Sequence, residues 1–135
     1  MSYILEKAKK VIDLELEGIR CIREQLGEEF EKLVNTCRVT LDKGGKIVIS
    51  GIGKSGHIGH KIAATLASTG SPALFLHPVE AMHGDLGILQ KNDILLALSY
   101  SGETDELLPI LPFSKFRISI TGYRSNWNIK TFCAW

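Results

Sequence analysis

Between residues 4 and 41 apolar side chains recur every three or four positions: Ile4, Ala8, Val11, Ile12, Leu16, Ile19, Ile22, Leu26, Phe30, Leu33, Val34, Cys37 and Leu41. Charged residues fill the remaining positions, which predicts amphipathic helix over the whole span. Gly27, just before Glu28 and Glu29, is a natural break between two helices, and Gly44-Gly45 ends the region. The apolar stripe serves either the domain's own core or another subunit; the pattern alone fits both.

The period then changes. Ile47-Val48-Ile49, Ala73-Leu74-Phe75-Leu76, Ile94-Leu95-Leu96-Ala97-Leu98 and Ile118-Ser119-Ile120 are short runs, mostly continuous rather than alternating. Continuous apolar runs mark strands covered on both faces, as in a parallel sheet. Between them, residues 57–69 place Ile58, Ile62 and Leu66 on one side, with Ala63, Ala64 and Ala67 permitting close packing. Residues 103–111 predict a shorter helix limited by Pro109 and Pro112. Strand–helix alternation implies right-handed crossovers and a doubly wound α/β sheet, whose ligands bind beyond the carboxyl ends of the strands. The polar segments 51–56, 77–86 and 99–104 all fall at such ends.

Composition narrows the class without changing it. The chain has 135 residues, 44% hydrophobic and 23% charged, with a formal net charge of +1. That fits one soluble α/β domain. No basic stripe with interleaved aromatics argues for nucleic acid as a partner, and no apolar run has the length of a membrane span. Cys21, Cys37 and Cys133 form an odd, scattered set, better suited to reduced thiols in the cytoplasm than to disulfides.

Two loops carry the chemistry. Gly51-Ile52-Gly53-Lys54-Ser55-Gly56 follows the first strand and Ser99-Tyr100-Ser101-Gly102-Glu103-Thr104 follows the third. Glycines let backbone N–H groups approach a ligand, hydroxyls add donors, and a helix start adds partial positive charge. Together they predict a cradle for a phosphate on a small molecule. The Gly-x-Gly-x-x-Gly spacing also matches a dinucleotide fingerprint. The second strand, however, runs into His77-Pro78 where a ribose-binding carboxylate is expected, leaving only Glu80 nearby. A P-loop is excluded because position 48 is Val where Gly is required.

Four separated motifs agree in order and spacing with one family. They are Gly51-Ile52-Gly53-Lys54-Ser55-Gly56-His57-Ile58-Gly59, then Ala67-Ser68-Thr69-Gly70, then His77-Pro78-x-Glu80-Ala81-x-His83-Gly84-Asp85-Leu86-Gly87, and Ser99-x-Ser101-Gly102-Glu103-Thr104-x-Glu106. The chain resembles the D-arabinose 5-phosphate isomerases, sugar isomerase (SIS) domain proteins, from its first helix to about Gly122. The resemblance implies a flavodoxin-like doubly wound parallel sheet, incomplete here and preceded by the N-terminal helical arm. The expected organisation is helices over 1–43, a partial SIS core over 44–122 and an atypical tail over 123–135. It also implies interconversion of D-arabinose 5-phosphate and D-ribulose 5-phosphate for Kdo, feeding lipopolysaccharide or capsule, in a cytoplasmic homotetramer. No cofactor and no metal are implied; His57, His83 and Asp85 match no recognised ligand spacing.

Carried across position by position, Gly53, Ser55, Ser99, Ser101 and Thr104 match the family's phosphate-binding positions, and Lys54, His83 and Glu106 its catalytic ones. Each also has a plainer reading. The serines cap helices, Lys54 is a solvated lysine, His83 bonds within its own loop, and Glu106 is favoured by a helix macrodipole. Aldose–ketose isomerisation needs a base beside two carbons and donors for an enediolate, which Glu106, Lys54 and His83 supply in type. Glu103 is expected to face away from the phosphate.

After Gly122 the resemblance stops. The family continues with a helix, a fifth strand, further glutamate and histidine loops and often a CBS pair, whereas residues 123–135 show no helical or strand period. The expectation is a truncated, frame-shifted product with its fourth strand left as an exposed edge, and weak or no turnover. Two other functions stay open: a non-catalytic phosphosugar-binding module, and a degenerate fragment that joins an intact paralogue.

Overall fold

The computed structural model describes residues 2–101, 104–113, 116–123 and 126–133. Two helices lead the chain, α1 (Tyr3–Gln25) and α2 (Glu28–Asp42), parted at Gly27, whose extended backbone caps α2. α2 ends in a Schellman turn: Gly44, with φ 72, donates to the Leu41 carbonyl, and Gly45 donates to that of Thr40. Gly70 ends the next helix the same way, with φ 88 and Ser71 N–H donating to the Leu66 carbonyl.

The sheet contains β1 (Ile47–Gly51), β2 (Ala73–Phe75), β3 (Ile94–Ser99), β4 (Phe116–Tyr123) and β5 (Asn126–Cys133) in the order β2-β1-β3-β4-β5. This is the flavodoxin-like order. The first four strands are parallel, as the continuous apolar runs predict, and β5 runs antiparallel to β4. Ile47, Ile49, Ile94, Leu96 and Leu98 point to one face, where Ala63, Ile62 and Leu66 of α3 (Gly53–Ser68) and Leu33, Cys37 and Leu41 of α2 cover them. Val48, Leu95 and Ala97 point to the other. There the covering is short: α4 (Pro78–Met82), the 3-10 turn Asp85–Ile88, and Leu107, Ile110 and Leu111. Close approach of α3 to the edge strand depends on Gly59, where a Cβ would lie 2.8 Å from the Phe75 ring.

The amino end of the sheet is locked. Buried Asp93 accepts from the Lys46 ammonium at 2.5 Å, the Lys46 N–H at 2.9 Å and the Gln90 N–H at 2.8 Å. Burial pushes its carboxyl pKa up, and the hydrogen bonds from Lys46 and Gln90 outweigh that, so the net shift is downward. Beside it, Gly45 packs so tightly that a Cβ there would collide with the Asn92 carbonyl.

Three expectations need correction. α3 begins at Gly53 rather than at His57, because the loop glycines form the helix's own first turn. Residues 105–107 are a turn and Leu108–Phe113 is 3-10 helix, so no α-helix forms there. Pro109 and Pro112 lack the N–H donors that an α-helix needs. The fourth strand is not an edge, since β5 pairs with it from Phe116↔Cys133 to Tyr123↔Asn126. The tail has a period of two after all: Trp127, Ile129 and Thr131 alternate with Asn128 and Lys130, rich in strand-forming types. The expected solvent-facing orientation of Glu103 lies outside the described residues.

Candidate functional site

Parallel pairing brings the three loops together. Gly51 is registered on Leu98 of β3, so the loops after β1 and β3 leave the sheet side by side. On the other flank, the Leu76 N–H donates to the Ile49 carbonyl at 2.9 Å, so the segment 77–86 departs at the same end. The carboxyl ends of adjacent strands thus present Lys54 and Ser55, His83, and Ser99, Ser101, Thr104 and Glu106.

The first loop is built from backbone. A Cβ at Gly51 would sit 3.1 Å from the carbonyl of Ser55, and one at Gly56 would sit 2.9 Å from the Gly51 oxygen. Gly53 has φ 57, a left-handed conformation that glycine adopts without strain. The residue before α3 is Ile52, whose side chain has no oxygen to cap the helix, and no side-chain cap bond is made. The first N–H groups of an α-helix have no partner within it. Those of Gly53, Lys54 and Ser55 are therefore donors at the positive end of a sixteen-residue helix, suited to an anion.

The second loop is built from side chains. The Ser99 and Thr104 hydroxyls are 2.7 Å apart, Ser99 buried and Thr104 half-buried. The Thr104 carbonyl accepts from Leu107 N–H at 2.9 Å, which closes the turn carrying Glu106. Ser101 and Glu106 are exposed. The third segment is held by an interaction that the loop motifs did not single out. Ser50, fully buried in β1, donates through Oγ to the Leu76 carbonyl at 2.7 Å. Beyond it, His77 Nδ1 accepts from the Val79 N–H at 3.3 Å and starts α4, and His83 ends it with its N–H on the Glu80 carbonyl at 3.0 Å. A lone hydroxyl following the run Ile47–Ile49 was the sequence signal for Ser50. The His60 ring, stacked on Phe75 at 3.7 Å, had no such signal.

Of the eight expected site residues, the structure joins Ser99 and Thr104 by a direct bond and sets the others at the same sheet end. Lys54, His83 and Glu106 are each exposed, and among the described residues no hydrogen bond or ion pair links the three. Glu106 lies in a turn, not at a helix start, so a macrodipole does not account for it. Among the described residues no three His, Cys, Asp or Glu side chains gather at metal-binding distance, and no helix is long and apolar enough to cross a membrane.

Comparison with known proteins agrees with this geometry. The SIS domain family model matches residues 40–122. The chain is 46% identical over 117 residues to arabinose 5-phosphate isomerase KdsD of Pseudomonas aeruginosa, covering 87% of this chain and 35% of that protein. It is 50% identical over 109 residues to arabinose 5-phosphate isomerase GutQ of Escherichia coli K12, covering 81% and 33%. The chain thus spans about a third of the length of these curated relatives. Among solved structures, an Escherichia coli CFT073 protein in complex with arabinose 5-phosphate superposes with a TM-score of 0.72 at 36% identity, covering 90% of this chain and 66% of that one.

Proposed function

Since the chain belongs to the SIS domain family, we propose that its loop-bearing sheet end binds the phosphate of a pentose 5-phosphate and is an arabinose 5-phosphate isomerase site. The observation that carries the reading is the uncapped first turn of α3 lying next to the Ser99–Thr104 hydroxyl pair. Amide donors from one loop and hydroxyls from the other converge on a single anion, as a phosphate with several acceptor oxygens requires. Gly53 gives the turn its shape, and Ser55, Ser99, Ser101 and Thr104 supply hydroxyls.

In this reading Glu106 is the base. It takes the proton from C2 of arabinose 5-phosphate, giving an enediolate, and the proton returns at C1 as the ketose forms. Lys54 and His83 polarise the O1 and O2 oxygens, where charge develops. The exposure of all three, with no bond among them, supports slow turnover relative to binding. A base must come within about 2.6–3.2 Å of its proton, and no bond to Lys54 or His83 fixes Glu106 there. This same observation favours a second reading, a phosphosugar-binding module without catalysis. The similarity to KdsD and GutQ supports, as further parts of the proposal, a cytoplasmic homotetramer supplying Kdo synthesis for lipopolysaccharide or capsule.

Incubation with ribulose 5-phosphate in heavy water separates the readings. Deuterium at the carbon beside the carbonyl identifies an isomerase site. A rise in melting temperature without label identifies a binding module. At a ligand concentration a hundred times Kd the stabilisation is about 2.7 kcal/mol. Absence of both label and rise would refute the phosphate cradle itself.

A further inference from the structure

The family match begins at residue 40, so α1 lies outside it, and α1 is also the part of the structure with the least to hold it. None of its 23 residues is buried, and Leu5, Ile12 and Ile19 are 55%, 58% and 62% exposed. A lone helix of this length is marginal in water unless an apolar face is covered. We propose that α1 pairs antiparallel with α1 of a second copy of this chain, about a two-fold axis at Ile12.

The register follows from symmetry within the helix. At about 100° per residue, Leu5, Ala8, Leu16 and Ile19 all fall within about 40° of Ile12 and form one seam. A two-fold axis perpendicular to the helix at Ile12 sets Leu5 level with Ile19 of the second copy, Ala8 with Leu16, and Ile12 with itself. The seam is self-complementary, as a two-fold interface must be. Its flanks differ in kind. One carries Glu6, Lys9, Asp13 and Arg20; the other carries Ile4, Val11 and Ile22, interrupted by Glu15.

Those flanks fix the direction. An antiparallel two-fold keeps each flank against its own kind, so Lys9 meets Asp13 of the second copy and Glu6 meets Arg20, each about 3 Å apart along the axis at 1.5 Å per residue. The apolar flanks likewise meet each other. A parallel pair would turn the charged flank of one helix onto the apolar flank of the other, desolvating charge against Ile4, Val11 and Ile22. This goes beyond the oligomer proposed above by assigning its surface, direction and register, and it holds whatever the sheet end binds.

Single variants Leu5→Cys and Ile19→Cys test the direction, because both positions are exposed and neither change touches the core. Mixed under mild oxidation, the two chains are expected to cross-link to each other, with the 5–19 disulfide identified by mass spectrometry of non-reduced peptides. Each variant alone is expected to give no 5–5 or 19–19 link. Sedimentation of the unmodified chain is expected to show a dimer or larger. Lys9→Glu is expected to weaken that association roughly tenfold, and adding Asp13→Lys to restore it. A 5–5 link, or a monomeric mass, would overturn the proposal; the second result would also mean that the face is covered by something other than this chain.

Discussion

The two ends of the sheet are made differently. At the amino end the groups face each other: Asp93 takes three hydrogen bonds, Asn92 donates through Nδ2 to the Lys43 carbonyl, and Gly45 leaves no room for a side chain. At the carboxyl end polar groups face outward, with Lys54, His83, Ser101 and Glu106 exposed and the first turn of α3 uncapped. One end spends its polar atoms on the fold; the other keeps them for a ligand. Substitutions at the first should therefore cost stability, and those at the second should cost binding.

The largest effect is expected at Asp93. Asp93→Ala leaves the Lys46 ammonium without its counterion and two backbone N–H groups without acceptors. Lys46 is partly exposed, so the loss falls at the lower end of the range for broken buried pairs, about 3 kcal/mol in urea unfolding. The same pair predicts an acid limb. Because the folded pKa of Asp93 lies below the unfolded value, its stabilisation is complete above about pH 4. It is lost as pH falls through the lower, folded value. Asp93→Asn should flatten the decline of melting temperature over that window, and an unchanged decline would show that the lock lies elsewhere.

A smaller effect is expected where the two ends share a requirement. Gly56→Ala would bring a Cβ to 2.9 Å from the Gly51 oxygen, and that oxygen is backbone, so it does not yield cheaply. The expected cost is about 1–3 kcal/mol of overpacking, together with loss of the melting shift on adding ribulose 5-phosphate. A stable Gly56→Ala protein that still responds to the sugar would show that the loop tolerates widening.

How much of this is legible in the sequence depends on range. The strands are legible because Ile47–Ile49 and Ile94–Leu98 are apolar at every position, which only a doubly covered strand allows. The first loop is legible because glycine at 51, 53 and 56 has few uses except close backbone approach. The start of α3 reads too late in the sequence, since glycines normally argue against helix and only the packing on Phe75 makes them helical. Residues 105–113 look like α-helix because Leu107, Ile110 and Leu111 have helical spacing that a 3-10 turn serves equally. The tail looks patternless because its alternation is short and its pairing with β4 is a property of the sheet, not of residues 126–133. The direct bond between Ser99 and Thr104, five residues apart around a tight loop, is beyond any pattern.

The smallest stability effect, and the sharpest test of the contrast between the two ends, is expected at Lys54. Its ammonium is exposed and makes no hydrogen bond or ion pair among the described residues, so Lys54→Met should unfold at the same urea concentration as the parent chain. Yet it stands in the first turn of α3, where the phosphate is proposed to sit, and a charge-assisted bond is about twice as strong as a neutral one. Binding of ribulose 5-phosphate, measured by calorimetry, should weaken roughly tenfold or more. Thr104→Ala makes the useful contrast, since it removes a neutral hydroxyl that also holds Ser99. It should lose less affinity and more stability than Lys54→Met. If the order is reversed, the carboxyl end is structural too, and the division between a locked end and a binding end fails.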